Sequence, residues 1–365
     1  MKKRVAIIGT QGVPAQYGGF ETLVENMIGC NASPEVEYTV LCSSWDYKER
    51  LTEYKGAKLE YVPLHANGVQ SIPYDMLSLL RVLGRGYDVV LVLGVSGCVV
   101  LPLFRRLYRG RLVVNIDGLE HRREKWGRLA KWFLRLSEAC AVRAADVVVA
   151  DNKGIADYVT ETYGRESVTI AYGGDHAVRD VPQNRQLEML AARGLEPGGY
   201  ALSLCRIEPE NNCHVILEAA RKSGQKLVFV GNWNRSEYGC RLKADYSGDD
   251  NLCLVDAVYD LDELYTLRRN CRVYIHGHSA GGTNPSLVEA MHCEVPILAF
   301  DVVYNRETTG QQAHYWGSAD ALCELMLQLP TDVLQQNATA MKALAQQHYC
   351  WNIIAQRYEA TYSGE

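Results

Sequence analysis

The stretch Val273-Tyr274-Ile275-His276-Gly277-His278-Ser279-Ala280-Gly281-Gly282-Thr283-Asn284-Pro285-Ser286-Leu287-Val288-Glu289-Ala290-Met291 divides into three parts. A short apolar run ends at His276, a glycine-rich loop follows, and a helix is expected over 285–292. The start of that helix presents free N–H groups, and Glu289 falls about one turn in. Similar runs rich in Val, Ile and Leu occupy 200–205, 226–231, 252–255 and 296–300. An earlier series occupies 4–8, 38–43, 58–63, 88–94, 111–116, 146–150 and 168–172. None alternates with polar residues, as is usual for strands buried on both faces, and helical segments such as 213–222 separate them. That alternation implies right-handed crossovers and parallel sheets. The expectation is two doubly wound α/β domains. The polar stretch from Asp175 to Gly199, with Pro182 and the turn Pro197-Gly198-Gly199, marks the boundary. Two such domains on one linker should face a central cleft, with ligands beyond the carboxyl ends of the strands.

Composition agrees with this reading. The 365 residues exceed what one core usually supports, and 47% hydrophobic with 22% charged residues argues against disorder. The net charge is −5, divided as +2 through Asp180 and −7 after it, which gives no support to general nucleic-acid binding. The twelve cysteines are scattered, with no Cys-x-x-Cys, and read as free thiols. Met1-Lys2-Lys3-Arg4 is like the start of a signal peptide, but the apolar run Val5 to Ile8 ends at once in Gly9, so it reads as a strand entering a loop. The apolar stretch Val89 to Phe104 is too short and too interrupted to span a bilayer. A cytoplasmic protein is expected.

Four loops after strands carry chemistry. The first, Gly9 to Glu21, has glycines at 9, 12, 18 and 19; it suits phosphates or sugar hydroxyls and reads equally as a tight turn. Its spacing is not Gly-x-Gly-x-x-Gly, and the second strand ends in Cys42-Ser43-Ser44 with no acid for a ribose, which disfavours a dinucleotide fold. After the fifth strand comes Asn115-Ile116-Asp117-Gly118-Leu119-Glu120-His121-Arg122-Arg123, either a solvated loop with ion pairs or a polar wall of the cleft. In the second domain Arg206-Ile207-Glu208-Pro209-Glu210-Asn211-Asn212 follows a strand, and a guanidinium there can clamp a diphosphate. At the fourth loop, anions favour the helix start, and Glu289 can accept hydrogen bonds from vicinal ribose hydroxyls. His276 and His278 have no third ligand at fitting spacing, so no metal site is expected.

With these motifs the sequence resembles glycosyltransferases of family 4, which have the two-domain GT-B architecture, and within them a bacterial rhamnosyltransferase-like branch. Glu289 matches the second of the two glutamates usual in that family, while the first falls on Gly281. Arg206 matches the donor-phosphate arginine, but the lysine usual five positions later is Asn211. The resemblance implies two Rossmann-like domains around a central cleft, an acceptor-binding domain over 1–178 and a donor-binding domain over 179–346. The segment 347–365, with Tyr349-Cys350-Trp351-Asn352, would carry a helix crossing back to the first domain. It further implies a retaining hexosyltransferase that needs no metal or other cofactor and moves a sugar, rhamnose from dTDP-rhamnose, onto a polyprenyl-diphosphate-linked saccharide in bacterial surface polysaccharide synthesis.

Under this resemblance Gly12, Gly18, Gly19, Arg206, Asn211, Asn212, Gly281, Gly282, Thr283, Asn284 and Glu289 would bind the donor. Gln16, Tyr17, Phe20 and Glu21 would bind the acceptor. Asp117, Glu120 and His121 are candidates for orienting or deprotonating its hydroxyl, and Arg206 would stabilise the leaving diphosphate. A nucleotide-sugar epimerase and a non-catalytic nucleotide-sugar-binding protein are the alternatives. Finally, the run from Phe104 to Arg143 carries eleven basic residues against four acids. On a helix starting near Trp126, Leu129, Phe133, Leu136 and Cys140 are expected in the core. Arg128, Lys131, Trp132 and Arg135 fall on another face, which is either solvated or suited to the inner leaflet of a membrane.

Overall fold

The computed structural model describes residues 2–16, 18–30, 33–119, 121 and 127–364. The chain divides into two compact units. One holds the residues up to Tyr172 together with those from Trp351 onward, and the other holds Gly173–Cys350.

The first unit is built on β1 (Lys3–Ile8), β2 (Val36–Ser43), β3 (Glu53–Tyr54), β4 (Ala57–Val62), β5 (Val89–Leu93), β6 (Arg111–Asn115), β7 (Val147–Ala150) and β8 (Val168–Thr169). Their order in the sheet is β3-β4-β2-β1-β5-β6-β7-β8. Every pairing is parallel except β3 with β4. Those two join through Lys55 and Gly56, both at positive φ, as a two-residue hairpin turn requires. The strands that the apolar runs predict are all present. β3 escapes such a reading because two residues carry no periodicity.

The second unit is a six-stranded parallel sheet of β9 (Ala201–Leu204), β10 (Leu227–Val230), β11 (Leu252–Val255), β12 (Val273–His276), β13 (Ile297–Phe300) and β14 (His314–Trp316). The order β11-β10-β9-β12-β13-β14 is that of a doubly wound Rossmann sheet. β14 lies outside the predicted runs, since His314-Tyr315-Trp316 shows no aliphatic run. Its Trp316 is nevertheless buried and donates its indole N–H to the Leu298 carbonyl at 3.2 Å.

The C-terminal helix, Trp351–Ala360, packs on the helix Gly19–Cys30 of the first unit. The buried Tyr358 hydroxyl accepts a hydrogen bond from the Asn115 side chain at 2.6 Å. None of the twelve cysteines is in a disulfide. Among the described residues no helix is long and apolar enough to cross a membrane.

One expectation is corrected. The helix Arg128–Ala144 buries Leu134, Ser137, Glu138, Ala141 and Val142, whereas Leu129 and Leu136 are exposed. Hydropathy misleads here because a charged residue, Glu138, takes a core position. It is stabilised there by the three donors described below.

Candidate functional site

In the second unit β9 and β12 are neighbours where the strand order reverses, the point at which a doubly wound sheet opens a crevice for ligands. The loops leaving them are stitched together. Asn212 donates its amide to the Gly277 carbonyl at 2.8 Å, and Ser279 donates both its N–H and its hydroxyl to the Glu210 carbonyl, at 2.9 and 2.8 Å. A methyl group at Gly277 would overlap the Asn211 carbonyl, so only glycine permits this approach. Asn211, itself buried, donates its amide to the Arg206 carbonyl at 2.6 Å. The side-chain amides of both asparagines thus hold the loop in shape, and Arg206 is left half-exposed, 3.8 Å from Glu208.

The helix Pro285–His292 opens with Asn284 as its cap. The Asn284 side-chain oxygen Oδ1 accepts from the Ser286 N–H at 3.0 Å and from the Ser286 hydroxyl at 2.8 Å. Gly281, at positive φ, has open space where a side chain would project, while Thr283 is buried. Gly282 lies between them, half-buried.

Glu289 does not stand alone. Its carboxylate pairs with the guanidinium of Arg268, which is buried, and lies 3.4 Å from Nε2 of His176. Burial opposes its charge, but Arg268 and His176 outweigh that and hold the carboxyl below its usual range. Neither partner was legible in the motif, because both lie outside it in sequence. His276 is fully buried, and burial pushes its pKa down to about 3, so the ring is neutral. It stacks on His278 with centroids 4.5 Å apart.

In the first unit the loop after β1 is organised by acids. Glu21 is buried and accepts from the Gln11 N–H at 2.7 Å and the Thr10 hydroxyl at 3.1 Å; burial raises its pKa. A side chain at Gly18 would overlap the Glu21 carboxyl, and Gly18 has a φ of 142°. Glu25 accepts from the Ala15 N–H at 2.5 Å. Gly12 backs onto Cys42, Gln16 is exposed, and Gly19 and Phe20 are half-buried at the start of the helix Gly19–Cys30. Tyr17 lies outside the described residues.

After β6, Asp117 sits at a φ of 60°, and its N–H donates to the Asn115 side-chain oxygen at 2.8 Å. His121 places Nδ1 3.1 Å from Glu138, a buried carboxylate that also accepts from Tyr158 at 2.9 Å and Tyr163 at 2.7 Å. Burial works against this charge too, but His121 and the two hydroxyls lower the Glu138 pKa. The carboxylate therefore orients the imidazole and leaves Nε2 for another partner, the arrangement of a base with its orienting acid. Glu138 was missed because it reads as one polar residue inside an amphipathic helix. Glu120 lies outside the described residues.

Among the described residues one trio has metal-ligand chemistry. Ligand atoms of Asp175, His292 and Cys350 lie within 4.8 Å of one another, beside a cavity of about 500 Å³. Each of two members already has a local bond: His292 Nε2 meets the Tyr349 carbonyl at 2.9 Å, and Cys350 donates to the Gln346 carbonyl at 3.3 Å.

The match to known families follows this division. Residues 192–324 match the family described as glycosyl transferases group 1, and residues 2–175 match a domain of unknown function, DUF1972. Sucrose-phosphate synthase from Thermosynechococcus elongatus superposes with a TM-score of 0.82 at 14% identity, covering 99% of this chain and 98% of that one. Anabaena HepE in complex with UDP follows with a TM-score of 0.75 at 15% identity, covering 98% and 99%. The UDP-forming α,α-trehalose-phosphate synthase from Burkholderia xenovorans, in complex with glucose-6-phosphate, has a TM-score of 0.72 at 11% identity over 100% of both chains. No curated protein matches the sequence. The fold is that of the GT-B glycosyltransferases, and the second unit carries a glycosyl transferases group 1 domain.

Proposed function

We propose that the chain is a retaining hexosyltransferase of the family 4 type. It moves rhamnose from dTDP-rhamnose to a polyprenyl-diphosphate-linked saccharide in bacterial surface polysaccharide synthesis, working in the cytoplasm at the inner face of the membrane. The observation that carries the donor half of this reading is the meeting of three features at the β9–β12 switch point: half-exposed Arg206, the start of the helix Pro285–His292, and Glu289 within it. A guanidinium and free N–H groups stabilise a leaving diphosphate as its charge develops, and a carboxylate accepts from ribose hydroxyls. HepE, bound to UDP and to UDP-glucose in its structures, supports a nucleotide-sugar donor.

The acceptor half rests on the first unit. His121, oriented by Glu138, takes the acceptor hydroxyl, with Asp117 on the same loop, Gln16 on the loop after β1 and Phe20 at the start of the helix that follows it. The leaving group is stabilised by protein cations, so the reaction needs no metal.

Transfer of label from a panel of nucleotide sugars, with and without a lipid-linked acceptor, tests the reading. Product that needs the acceptor and carries the same anomeric configuration as the donor supports it. Conversion of the donor sugar without acceptor makes the protein an epimerase, and binding without turnover makes it a sensor. Loss of transfer in EDTA, restored by a divalent ion, would overturn metal independence and direct attention to Asp175, His292 and Cys350.

A further inference from the structure

We infer that the outward faces of the helices Leu101–Leu107 and Arg128–Ala144 form a docking surface for an anionic lipid bilayer; the choice of lipid as occupant rests on the lipid-linked acceptor proposed above. The two helices pack against each other in the first unit. The shorter exposes Leu103 and Leu107 at 62% and 65%, and the longer exposes Leu129, Trp132 and Leu136 at 85%, 65% and 39%. At about 100° per residue, Leu129, Trp132 and Leu136 fall within an arc of roughly 60°. They therefore make one apolar stripe, and Arg128, Arg135 and Arg143 stand along or beside it, all exposed. Arg106 is exposed on the shorter helix.

Charge decides what covers this stripe. The only acid on either helix is Glu138, which is buried against His121, Tyr158 and Tyr163, so neither helix turns a carboxylate of its own outward beside these arginines, and among the described residues Arg106, Arg128, Arg135 and Arg143 form no ion pair. Arg105 is the exception among the cations, since it is spent on Asp146 at 2.9 Å. A second copy of the chain, docked by the same patch, would bring arginine against arginine, which an isologous interface penalises. Leucine and tryptophan interleaved with unpaired arginines instead fit the boundary between headgroups and acyl chains, where the apolar stripe is buried and each cation meets lipid phosphate.

Flotation of the full chain with phosphatidylglycerol-containing and pure phosphatidylcholine vesicles at low salt reads the association. Binding is expected to the anionic vesicles and to fall with salt. Both the L129S/W132A/L136S variant and the R128E/R135E variant should lower the bound fraction by about tenfold or more. Every altered side chain is exposed, so thermal unfolding should stay at the wild-type value. No binding, equal binding to neutral vesicles, or variants that bind as wild type would overturn the inference. So would a dimer that either variant disperses, because the patch would then be a copy-to-copy contact. Thermal shift with nucleotide sugars separates this surface from the proposed function. A donor response without vesicle binding removes the surface alone, and vesicle binding without a response to any donor removes the glycosyl-donor reading and leaves the surface standing.

Discussion

Arg268 and Glu289 form an ion pair in which the guanidinium is only 4% exposed and the carboxylate 15%. The Nε of Arg268 has no hydrogen-bond partner among the described residues, so Glu289 is the group that offsets the cost of burying this cation. Replacing Arg268 with methionine leaves a buried carboxylate supported only by His176, and a loss of about 3–5 kcal/mol is expected. Urea unfolding measures it. Since Glu289→Gln strips the same pair from the other side, the double variant should be more stable than the sum of the single losses implies; strict additivity would show that the pair contributes no coupling.

Arg206 offers the cleaner test of the proposed donor site. Its side chain is 40% exposed and its one ion pair is long, so Arg206→Ala should leave the unfolding midpoint within about 1 °C of wild type. A preorganised charge on a leaving diphosphate predicts a fall in kcat/KM of ~10²-fold or more. Near wild-type kcat/KM with every accepted donor would show that this guanidinium does not touch the diphosphate.

In the proposed reaction Glu138 would act through His121, which would make it a positioning residue. Glu138→Gln should lower kcat by ~10²-fold with little change in KM, because the imidazole loses the carboxylate that orients it. Phenylalanine at Tyr163 removes one hydroxyl from the same carboxylate and should have a smaller effect in the same direction. If KM rises and the unfolding midpoint falls along with kcat, the role of Glu138 is purely structural.

The two units should answer pH with opposite signs. His276 has its pKa pushed down to about 3 by burial, so below the ordinary value of 6.5 the unfolded chain takes up a proton that the folded second unit refuses. Stability from this group is complete above pH 6.5 and declines by up to ~1.4 kcal/mol per pH unit as the pH falls toward 3. Asp75 in the first unit is pushed up to about 8, again by burial. It keeps its proton in the folded state while the unfolded chain gives its proton up near pH 4, so its contribution declines as the pH rises from about 4 to 8. Urea titrations from pH 4 to 9 should show His276→Gln flattening the acid side. Asp75→Asn, whose amide oxygen can still accept from the Gly97 N–H, should flatten the alkaline side.

The apolar runs alone placed β1, β2 and β9 to β13, and the expected helix start at Pro285 coincides with the observed one. These features are local. A strand buried on both faces must be apolar throughout, and a helix start is encoded in a few consecutive residues. The sequence likewise showed which loops follow strands, and so where Arg206, His121 and Glu289 stand along the chain. What those side chains meet was decided by tertiary structure. Arg268 lies 21 residues from Glu289, Glu138 lies 17 from His121, and no periodicity links either pair. The same holds for the helix Arg128–Ala144, where hydropathy assigned Leu129 and Leu136 to the core and the fold placed Glu138 there instead. A buried charge is tolerated only if distant donors converge on it, and that convergence exists only once the sheet has brought His121, Tyr158 and Tyr163 together.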